Sequence, residues 1–302
     1  MKTLAGVSLS FLFACSAFAQ DASDKQLSST TTSTTVEKTA IDLFHLDGSY
    51  VWGSDIKTRD NYGEQDAIQS EFEYAHRFHV SGNLYLRTGV SYYRFDFGQT
   101  LAPLPLHLQS LSMPISVEYM VGNDVGAFFS VQPGFFFEND IGISSFDVPI
   151  TAGRVFVLQK DKLFLFVGAT SSFLRTDYPV LPLAGIVWRP NKQWTLNFVP
   201  PDPRIIYSPN DKWAFYAGGQ ITGWSFRTDR HDGNFPQKLN GAAVDYTEYR
   251  GGAGFSWSPT DQISFDAVGG WVFERNFNFG RADKKYQADG APYVRLSMKA
   301  EF

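Results

Sequence analysis

Residues 291–302 have the sequence Ala-Pro-Tyr-Val-Arg-Leu-Ser-Met-Lys-Ala-Glu-Phe. Every second residue from Phe302 back to Val294 is apolar, and the residues between them are polar or charged: Glu301, Lys299, Ser297 and Arg295. Because successive side chains of a β-strand point to opposite faces, this alternation predicts a strand with one apolar and one polar face. An edge strand of a soluble sheet can show the same pattern, so the choice between a soluble and a membrane-spanning sheet depends on the rest of the chain.

Residues 1–19 have the organisation of a secretory signal peptide. A short basic start is followed by an apolar run over residues 4–13 and by the small-x-small cleavage site Ala17-Phe18-Ala19. The apolar run is shorter than the roughly 20 residues that a membrane-spanning helix needs. We therefore predict cleavage after Ala19 and export from the cytoplasm, followed by a Ser/Thr-rich flexible lead-in over residues 20–41.

Cys15 offers an alternative to this cleavage. Leu12-Phe13-Ala14-Cys15 has the form of a lipoprotein processing site, in which Cys15 would carry the lipid. Phe13 is bulky for that motif, which favours simple cleavage. Cys15 is also the only cysteine, so cleavage after Ala19 leaves no thiol for a disulfide, for catalysis or for a metal site.

The composition of the chain narrows its class. The 302 residues carry a net charge of -5 without a basic patch, which excludes a typical nucleic-acid binder. Aromatic residues make up 16%, with 28 Phe and 26 Gly, yet the mean hydropathy is -0.20. Beyond the signal peptide no apolar run is long enough for a membrane helix. A membrane β-barrel fits, because its lipid-facing and inward-facing residues alternate; a large soluble sandwich or propeller is the alternative.

Alternating strands fill residues 42–302, with tight turns near residues 82, 122, 160, 191, 210 and 260 and longer connections between them. Short periplasmic turns and longer extracellular loops are the expected asymmetry of an outer-membrane barrel. With both ends of this segment on the periplasmic side, the strand number is even. We predict an all-β fold, a transmembrane antiparallel β-barrel of about 14 strands, or about 12 if the proline-rich region near Pro200 pairs differently.

Two local features are predicted within this pattern. The first long connection is expected over residues 55–66, which are rich in charge. In the third strand, residues 84–97, the apolar parity changes between Tyr92 and Phe95, which predicts a β-bulge.

Aromatic residues stand beside the tight turns. In a barrel this position corresponds to the membrane boundary, where Trp and Tyr accumulate. The predicted interfacial girdle consists of Trp188, Trp194, Tyr207, Trp213 and Trp257.

A resemblance to a known group is carried by one segment and by the final Phe302. The segment consists of Pro182-Leu183-Ala184-Gly185, Trp188-Arg189-Pro190-Asn191, Trp194, Pro203, Tyr207 and Trp213. With them, residues 42–302 resemble the bacterial outer-membrane β-barrels grouped as a domain of unknown function. The resemblance implies insertion into outer-membrane lipid by the barrel-assembly machinery, and it brings no cofactor and no catalytic residue. It also implies an assembly signal on the apolar face of the last strand: Val294, Leu296, Met298, Ala300 and Phe302.

Enzyme and metal sites are weakly indicated. His79-Val80-Ser81 has the His-x-Ser spacing of outer-membrane lipid hydrolases, which would use His79 as base and Ser81 as nucleophile. Ser81-Gly82-Asn83 is also a tight-turn sequence, which explains these residues without catalysis. Asp229, Asp232 and Asn234 could ligate calcium but lack the spacing of a known loop motif, so no metal site is predicted.

Charged residues on the polar parity of the strands are more informative. On a strand with a lipid face they have to point into the barrel, and their mixed signs predict weak ion selectivity. They indicate either a polar pore or a salt-bridged, plugged interior, and the sequence does not separate the two. The candidate residues are Glu71, Glu73, Arg77, Arg87, Glu118, Asp266, Glu274 and Arg295.

The sequence thus favours a non-enzymatic outer-membrane β-barrel that passes small solutes or serves structurally. An outer-membrane lipid hydrolase and a soluble or lipidated periplasmic β-protein are the alternatives.

Overall fold

The computed structural model describes residues 42–121, 124–176, 178–230 and 236–302. The predicted signal peptide, the lead-in, Cys15 and two of the proposed calcium ligands, Asp232 and Asn234, lie outside these residues. Among the described residues no helix has the length and apolar character needed to cross a membrane.

Nineteen strand segments and three short 3-10 turns make up the described fold. The strands are β1 (Asp42–Lys57), β2 (Asn61–Ser81), β3 (Leu84–Phe97), β4 (His107–Ser112), β5 (Ile115–Val121), β6 (Asp124–Val131), β7 (Gly134–Phe137), β8 (Phe146–Asp147), β9 (Ile150–Gln159), β10 (Leu163–Ser171), β11 (Val180–Trp188), β12 (Trp194–Asn197), β13 (Arg204–Asn210), β14 (Trp213–Thr222), β15 (Ser225–Arg227), β16 (Ala243–Trp257), β17 (Ile263–Phe279), β18 (Lys284–Ala288) and β19 (Ala291–Glu301). The 3-10 turns are Ile143–Ser145, Gln237–Leu239 and Gly280–Ala282.

Short interruptions divide five of the barrel strands, so the segments combine into fourteen strands. Pro114, Pro133 and Pro149 lie in three of these interruptions, where the missing N–H removes a ladder hydrogen bond. The combined strands are β4 with β5, β6 with β7, β8 with β9, β14 with β15, and β18 with β19. The prediction of about fourteen strands is confirmed, and the proline-rich region near Pro200 pairs as three short strands, β11 to β13.

The last strand closes the barrel against the first. β1 and β19 pair antiparallel from Leu43↔Glu301 to Val51↔Tyr293. The pairing ends in two backbone hydrogen bonds between Asp42 and Phe302, with N···O distances of 2.9 and 3.0 Å. Because lipid offers no hydrogen bonds to a free strand edge, this closure is what permits the sheet to span a membrane.

Two local predictions were wrong. β1 continues to Lys57 and β2 begins at Asn61. The connection between them is therefore short, and the predicted loop over residues 55–66 is not formed. The pairing of β2 with β3 is unbroken from Ala67↔Phe97 to His79↔Tyr85, so the third strand has no bulge near Phe95. The aromatic residues there simply change from the outer to the inner face, because this part of the barrel has an apolar interior.

The outer surface carries an apolar band. On β1 the outward residues run from Phe44 through Leu46 to Trp52, and all three are exposed. Eight residues of strand, tilted as in known barrels, correspond to a height of about 20 Å, close to the thickness of a membrane-facing band. One end of the barrel carries the tight turns, the start of β1 and the end of β19, and we call it the turn end. We call the opposite end the loop end.

At the loop end the barrel is narrower. β7 and β15 meet in parallel pairing at Phe137↔Arg227, and the Glu138 N–H donates to the Arg227 carbonyl at 3.1 Å. The five strands between them are short and end below this contact. The loop-end ring, as we call it, therefore contains β1, β2, β3, β4, β7, β15, β16, β17 and β18.

An aromatic core fills the loop-end ring. Tyr246 stands at its centre, with ring centroids 4.8 Å from Phe95, 5.0 Å from Phe97 and 4.9 Å from Phe277. Phe226 reaches the same cluster from β15 and is fully buried. The loop-end half of the interior is thus packed as a protein core rather than lined as an open channel.

Candidate functional site: the barrel interior

A belt of paired charges crosses the interior below the aromatic core, beginning at the closing seam. The Arg295 Nε of β19 donates to the Asp47 Oδ2 of β1 at 2.5 Å. The Asp47 side chain is fully buried and that of Arg295 is 10% exposed. This ion pair therefore joins the first and last strands from inside.

A second group of charges lies on β2, β3 and β5. The Arg77 Nε is 3.0 Å from the Glu118 Oε2, and both side chains are almost completely buried. Arg87 contacts the Glu73 Oε1 at 3.2 Å and lies 3.8 Å from the Glu118 Oε1. On β1, the His45 Nδ1 lies 3.2 Å from the Glu71 Oε1. Alternation along neighbouring strands thus brings four of the predicted residues, Glu73, Arg77, Arg87 and Glu118, into one network, and Glu71 pairs separately with His45.

The belt continues through residues that the sequence analysis did not select. Arg250 of β16 donates to the Glu248 Oε2 at 2.6 Å, to the Gln69 Oε1 at 2.8 Å and to the Ser49 Oγ at 3.2 Å. Its guanidinium also lies 5.2 Å from the ring centroid of Tyr293. The alternation of Tyr246, Glu248 and Arg250 along β16 was the available signal.

Asp266 and Glu274, both predicted to point inward, separate in the structure. Asp266 lies on the inner face and accepts a hydrogen bond from the Tyr216 hydroxyl at 3.2 Å. Glu274 lies across from Tyr249, which points outward because its neighbours Glu248 and Arg250 point inward. The Glu274 carboxylate contacts the Lys285 ammonium at 3.4 Å. A bulge in β17 opposite the Tyr249–Arg250 step shifts the alternation of inward and outward side chains by one residue. The prediction that Glu274 points inward is therefore wrong, and Glu274 lies on the outer surface.

Residues from the connections complete the closure of the loop end. They pack into the aromatic core beside the strand residues and are nearly fully buried. The loop-derived members are Ala102, Leu104, Leu174, Leu239 and Ala282. Connections open locally more readily than paired strands. The closure of the loop end therefore depends on the segments of the barrel that open most easily.

The segment after β10 covers the step between the short strands and the loop-end ring. Asp147 accepts hydrogen bonds from the Phe173 N–H at 2.9 Å and from the Ser172 hydroxyl. Asp245 accepts from the Thr176 hydroxyl at 3.0 Å. Burial lowers the pKa of Arg175 to about 10, against the opposing effect of Asp245 and Asp147, so its guanidinium stays charged at neutral pH. Residues 172–176 are therefore held by Asp147 of β8 on one side of the step and by Asp245 of β16 on the other.

The predicted girdle residues all lie at the turn end, on the outer face. Trp194 and Tyr207 have ring centroids 5.0 Å apart, and Trp213 and Trp257 are stacked at 6.1 Å. Trp188 is exposed beside them on β11.

The residues of the predicted assembly signal share the outward parity of β19. Val294, Leu296 and Phe302 are exposed, and Met298 is half-buried. Ala300 is buried, because it lies between Phe44 and Ile263 on the neighbouring strands. The Phe302 ring meets Phe44 edge to face at 6.3 Å.

His79 and Ser81 are part of a turn. The His79 Nε2 lies 2.9 Å from the Gly82 carbonyl oxygen, and the ring packs against Tyr85. Ser81 ends β2 at the turn Gly82-Asn83, where Gly82 has a φ of +54°. Backbone geometry and a local hydrogen bond account for both residues.

The described residues contain no group of three His, Cys, Asp or Glu side chains placed to hold a metal ion. Asp229, the described member of the proposed calcium set, accepts from the Asn139 and Asp140 N–H groups at 3.2 and 3.0 Å. It thus fastens the connection after β15 to the one after β7.

No family model and no curated protein matches the chain. The chain is similar in structure to an outer-membrane channel from Pseudomonas putida F1, with a TM-score of 0.47, 8% identity, and 89% of this chain and 100% of that chain covered. It is also similar to the toluene transporter TodX of Pseudomonas putida (TM-score 0.36, 12% identity, 87% and 90% covered) and to the outer membrane protease OmpT from Escherichia coli (TM-score 0.26, 8% identity, 91% and 100% covered).

The described residues themselves form an apolar outer band, a closed seam and a charged interior. The chain has the fold of a closed, fourteen-stranded outer-membrane β-barrel.

Proposed function

We propose that the protein is a non-enzymatic outer-membrane barrel that passes small solutes when its loop-end closure opens. The observation that carries this proposal is the composition of the closure, in which connection residues such as Leu239 complete a core above a belt of charges. The paired charges of the belt are buried at a cost in desolvation energy. A solute path that is closed at rest accounts for both the belt and the closure.

The proposed orientation places the turn end in the periplasm and the loop end outside the cell. Both ends of the barrel segment and the girdle then lie on the periplasmic side, as in bacterial outer-membrane barrels. The partners under this proposal are outer-membrane lipid and, during insertion, the barrel-assembly machinery. The exposed apolar band disfavours a soluble periplasmic protein, because in water it would be a large exposed hydrophobic surface.

The charge belt supports weak ion selectivity. Its acids and bases are paired side by side, as in Asp47 with Arg295, Arg77 with Glu118 and Glu248 with Arg250. Neither sign dominates along the path, so the belt favours neither cations nor anions strongly.

The wild-type protein in planar bilayers is expected to give small, rare and weakly selective openings. Leu239→Ala removes a fully buried contact from the closure, and a buried Leu→Ala change costs about 2–5 kcal/mol. The open fraction should rise at least tenfold, since about 1.4 kcal/mol corresponds to a factor of ten. Single-channel recording measures this fraction.

Leu101→Ala is the matched control, because Leu101 is 85% exposed in a connection at the same end. Its openings should equal those of the wild type. Silence of the wild type and of Leu239→Ala in preparations shown to be folded would assign a structural role instead.

Ser81→Ala is expected to leave any lipid hydrolysis by the purified protein unchanged. Ser81 belongs to a turn, and the imidazole that would serve as its base is engaged with the Gly82 carbonyl. Release of fatty acid from phospholipid micelles is the measurement. A specific loss of release in Ser81→Ala, with the barrel intact, would favour the hydrolase alternative.

A further inference from the structure

A single charged residue interrupts the outward row of β8 and β9. Outward side chains alternate with inward ones from Phe146 to Phe156, because the pairing with β6, β7 and β10 keeps one register across Pro149. The outward residues are Phe146, Val148, Ile150, Ala152, Arg154 and Phe156. On β3 the outward Arg94 is paired with Asp96 at 2.6 Å, whereas the outward row of β8 and β9 contains no acid beside Arg154.

The neighbours of Arg154 confirm that it faces outward. Directly across from it lie Ala127 on β6 and Val167 on β10, and Val167 is exposed. The adjacent inward residues, Gly153 and Val155, lie instead against the buried rings of Phe128 and Phe166. Arg154 is itself exposed, so its guanidinium stands on the membrane side of the wall.

The depth of Arg154 is intermediate. It lies four residues from Leu158, where β9 approaches its turn, which corresponds to a height of about 10 Å above the turn-end boundary. Its guanidinium carbon lies 4.9 Å from the ring centroid of Phe156, which is two residues nearer that boundary. The side chain therefore extends toward the turn-end leaflet, as long basic side chains do near an interface.

The wall beside this guanidinium is shallow. Ala127 is the outward residue on β6, and the next residue toward the turn end, Gly126, lies in a bulge opposite the Tyr119–Met120 step. Val125 after the bulge packs inward beside the buried cluster of Phe128 and Phe166. A narrow strip formed by Ala127 and Gly126 thus runs from the guanidinium toward the boundary. The exposed side chains of Tyr119 and Val121 on β5 line its other side, and Val121 lies against Gly126.

We propose that Arg154 binds the phosphate of a phospholipid of the turn-end leaflet, with the lipid lying along this strip. A guanidinium forms paired hydrogen bonds with phosphate oxygens, and phosphate is the anion that the leaflet presents at the boundary toward which this side chain extends. Phe156 holds the guanidinium by a cation–π contact, and the small side chain of Ala127, directly across from Arg154, leaves room for the headgroup. This site is independent of solute passage through the interior.

Mass spectrometry of the intact barrel released from detergent tests the proposal. Phosphatidylglycerol, phosphatidylethanolamine and diacylglycerol are added separately to delipidated full-length protein. Both phospholipids should be retained and diacylglycerol should not. Arg154→Leu should lower the fraction that retains one phospholipid at least threefold, Arg154→Lys should retain more than Arg154→Leu, and Phe156→Leu should lie between Arg154→Leu and the wild type.

Arg59→Leu is the matched control, because Arg59 is exposed in the connection between β1 and β2 at the loop end. It should retain phospholipid as the wild type does, and the shift in gel migration on heating shows that each variant is folded. Equal retention by Arg154→Leu would overturn the proposal. Displacement of the lipid by inorganic phosphate would indicate a water-exposed anion site instead, and a dimer lost in Arg154→Leu with unchanged lipid would assign this face to a second copy of the chain.

Discussion

Asp47→Ala is expected to lower the free energy of unfolding of the barrel by about 3–5 kcal/mol, because it leaves the guanidinium of Arg295 buried without its partner. The loss includes a contact across the closing seam, so unfolding should also become faster. Urea titration of the protein in detergent micelles, followed by tryptophan fluorescence, measures the change.

The double variant Asp47→Leu/Arg295→Met should recover most of the stability, because it removes both charges together. Glu274→Ala is the matched control. It breaks the 3.4 Å contact with Lys285 on the outer surface, and exposed pairs contribute at most about 1 kcal/mol. If Asp47→Ala cost no more than Glu274→Ala, the closing ion pair would not be buried in the folded barrel.

Phe302→Ser is expected to reduce the outer-membrane fraction of the protein several-fold at matched expression. The Phe302 backbone forms the last two hydrogen bonds of the closing seam, and its ring packs on Phe44 at the membrane boundary. The substitution keeps the backbone but removes an aromatic ring from the membrane boundary. Phe302→Tyr should be mild, since it keeps the aromatic ring.

Ile143→Ser serves as the control, because Ile143 is an equally apolar residue that is 95% exposed in a 3-10 turn at the loop end. It should insert as the wild type does. Leu296→Arg should also reduce the outer-membrane fraction, because a basic residue deep in the lipid face costs about 2–4 kcal/mol. Normal insertion of both Phe302→Ser and Leu296→Arg would show that β19 does not face lipid.

The barrel class and the closing strand could be predicted because they depend on strict alternation. Residues 294–302 alternate without interruption, and the structure pairs them with β1 as that pattern requires. Prediction failed where an extra residue shifts the parity. Glu274 follows a bulge that no Gly or Pro marks, so its side could be decided only from the pairing with Tyr249.

The interior could be predicted only in part, for a different reason. Inward charges such as Arg77 and Glu118 stand out on strands whose other face is apolar. Inward aromatic residues such as Phe95 and Phe97 do not, because an apolar core and a lipid face select the same residue types. The narrowing at the loop end is a contact between β7 and β15, which are far apart in sequence, and no local pattern encodes it.

The parallel contact between β7 and β15 follows from counting. In a closed ring with an even number of strands every neighbour can run in the opposite direction, and the fourteen strands do so. Removal of an odd number of consecutive strands, here five, brings together two strands that run the same way. A ring of nine therefore has to contain one parallel pair. Since the diameter of a barrel grows with strand number, the step also reduces the lumen toward the width that side chains alone can fill.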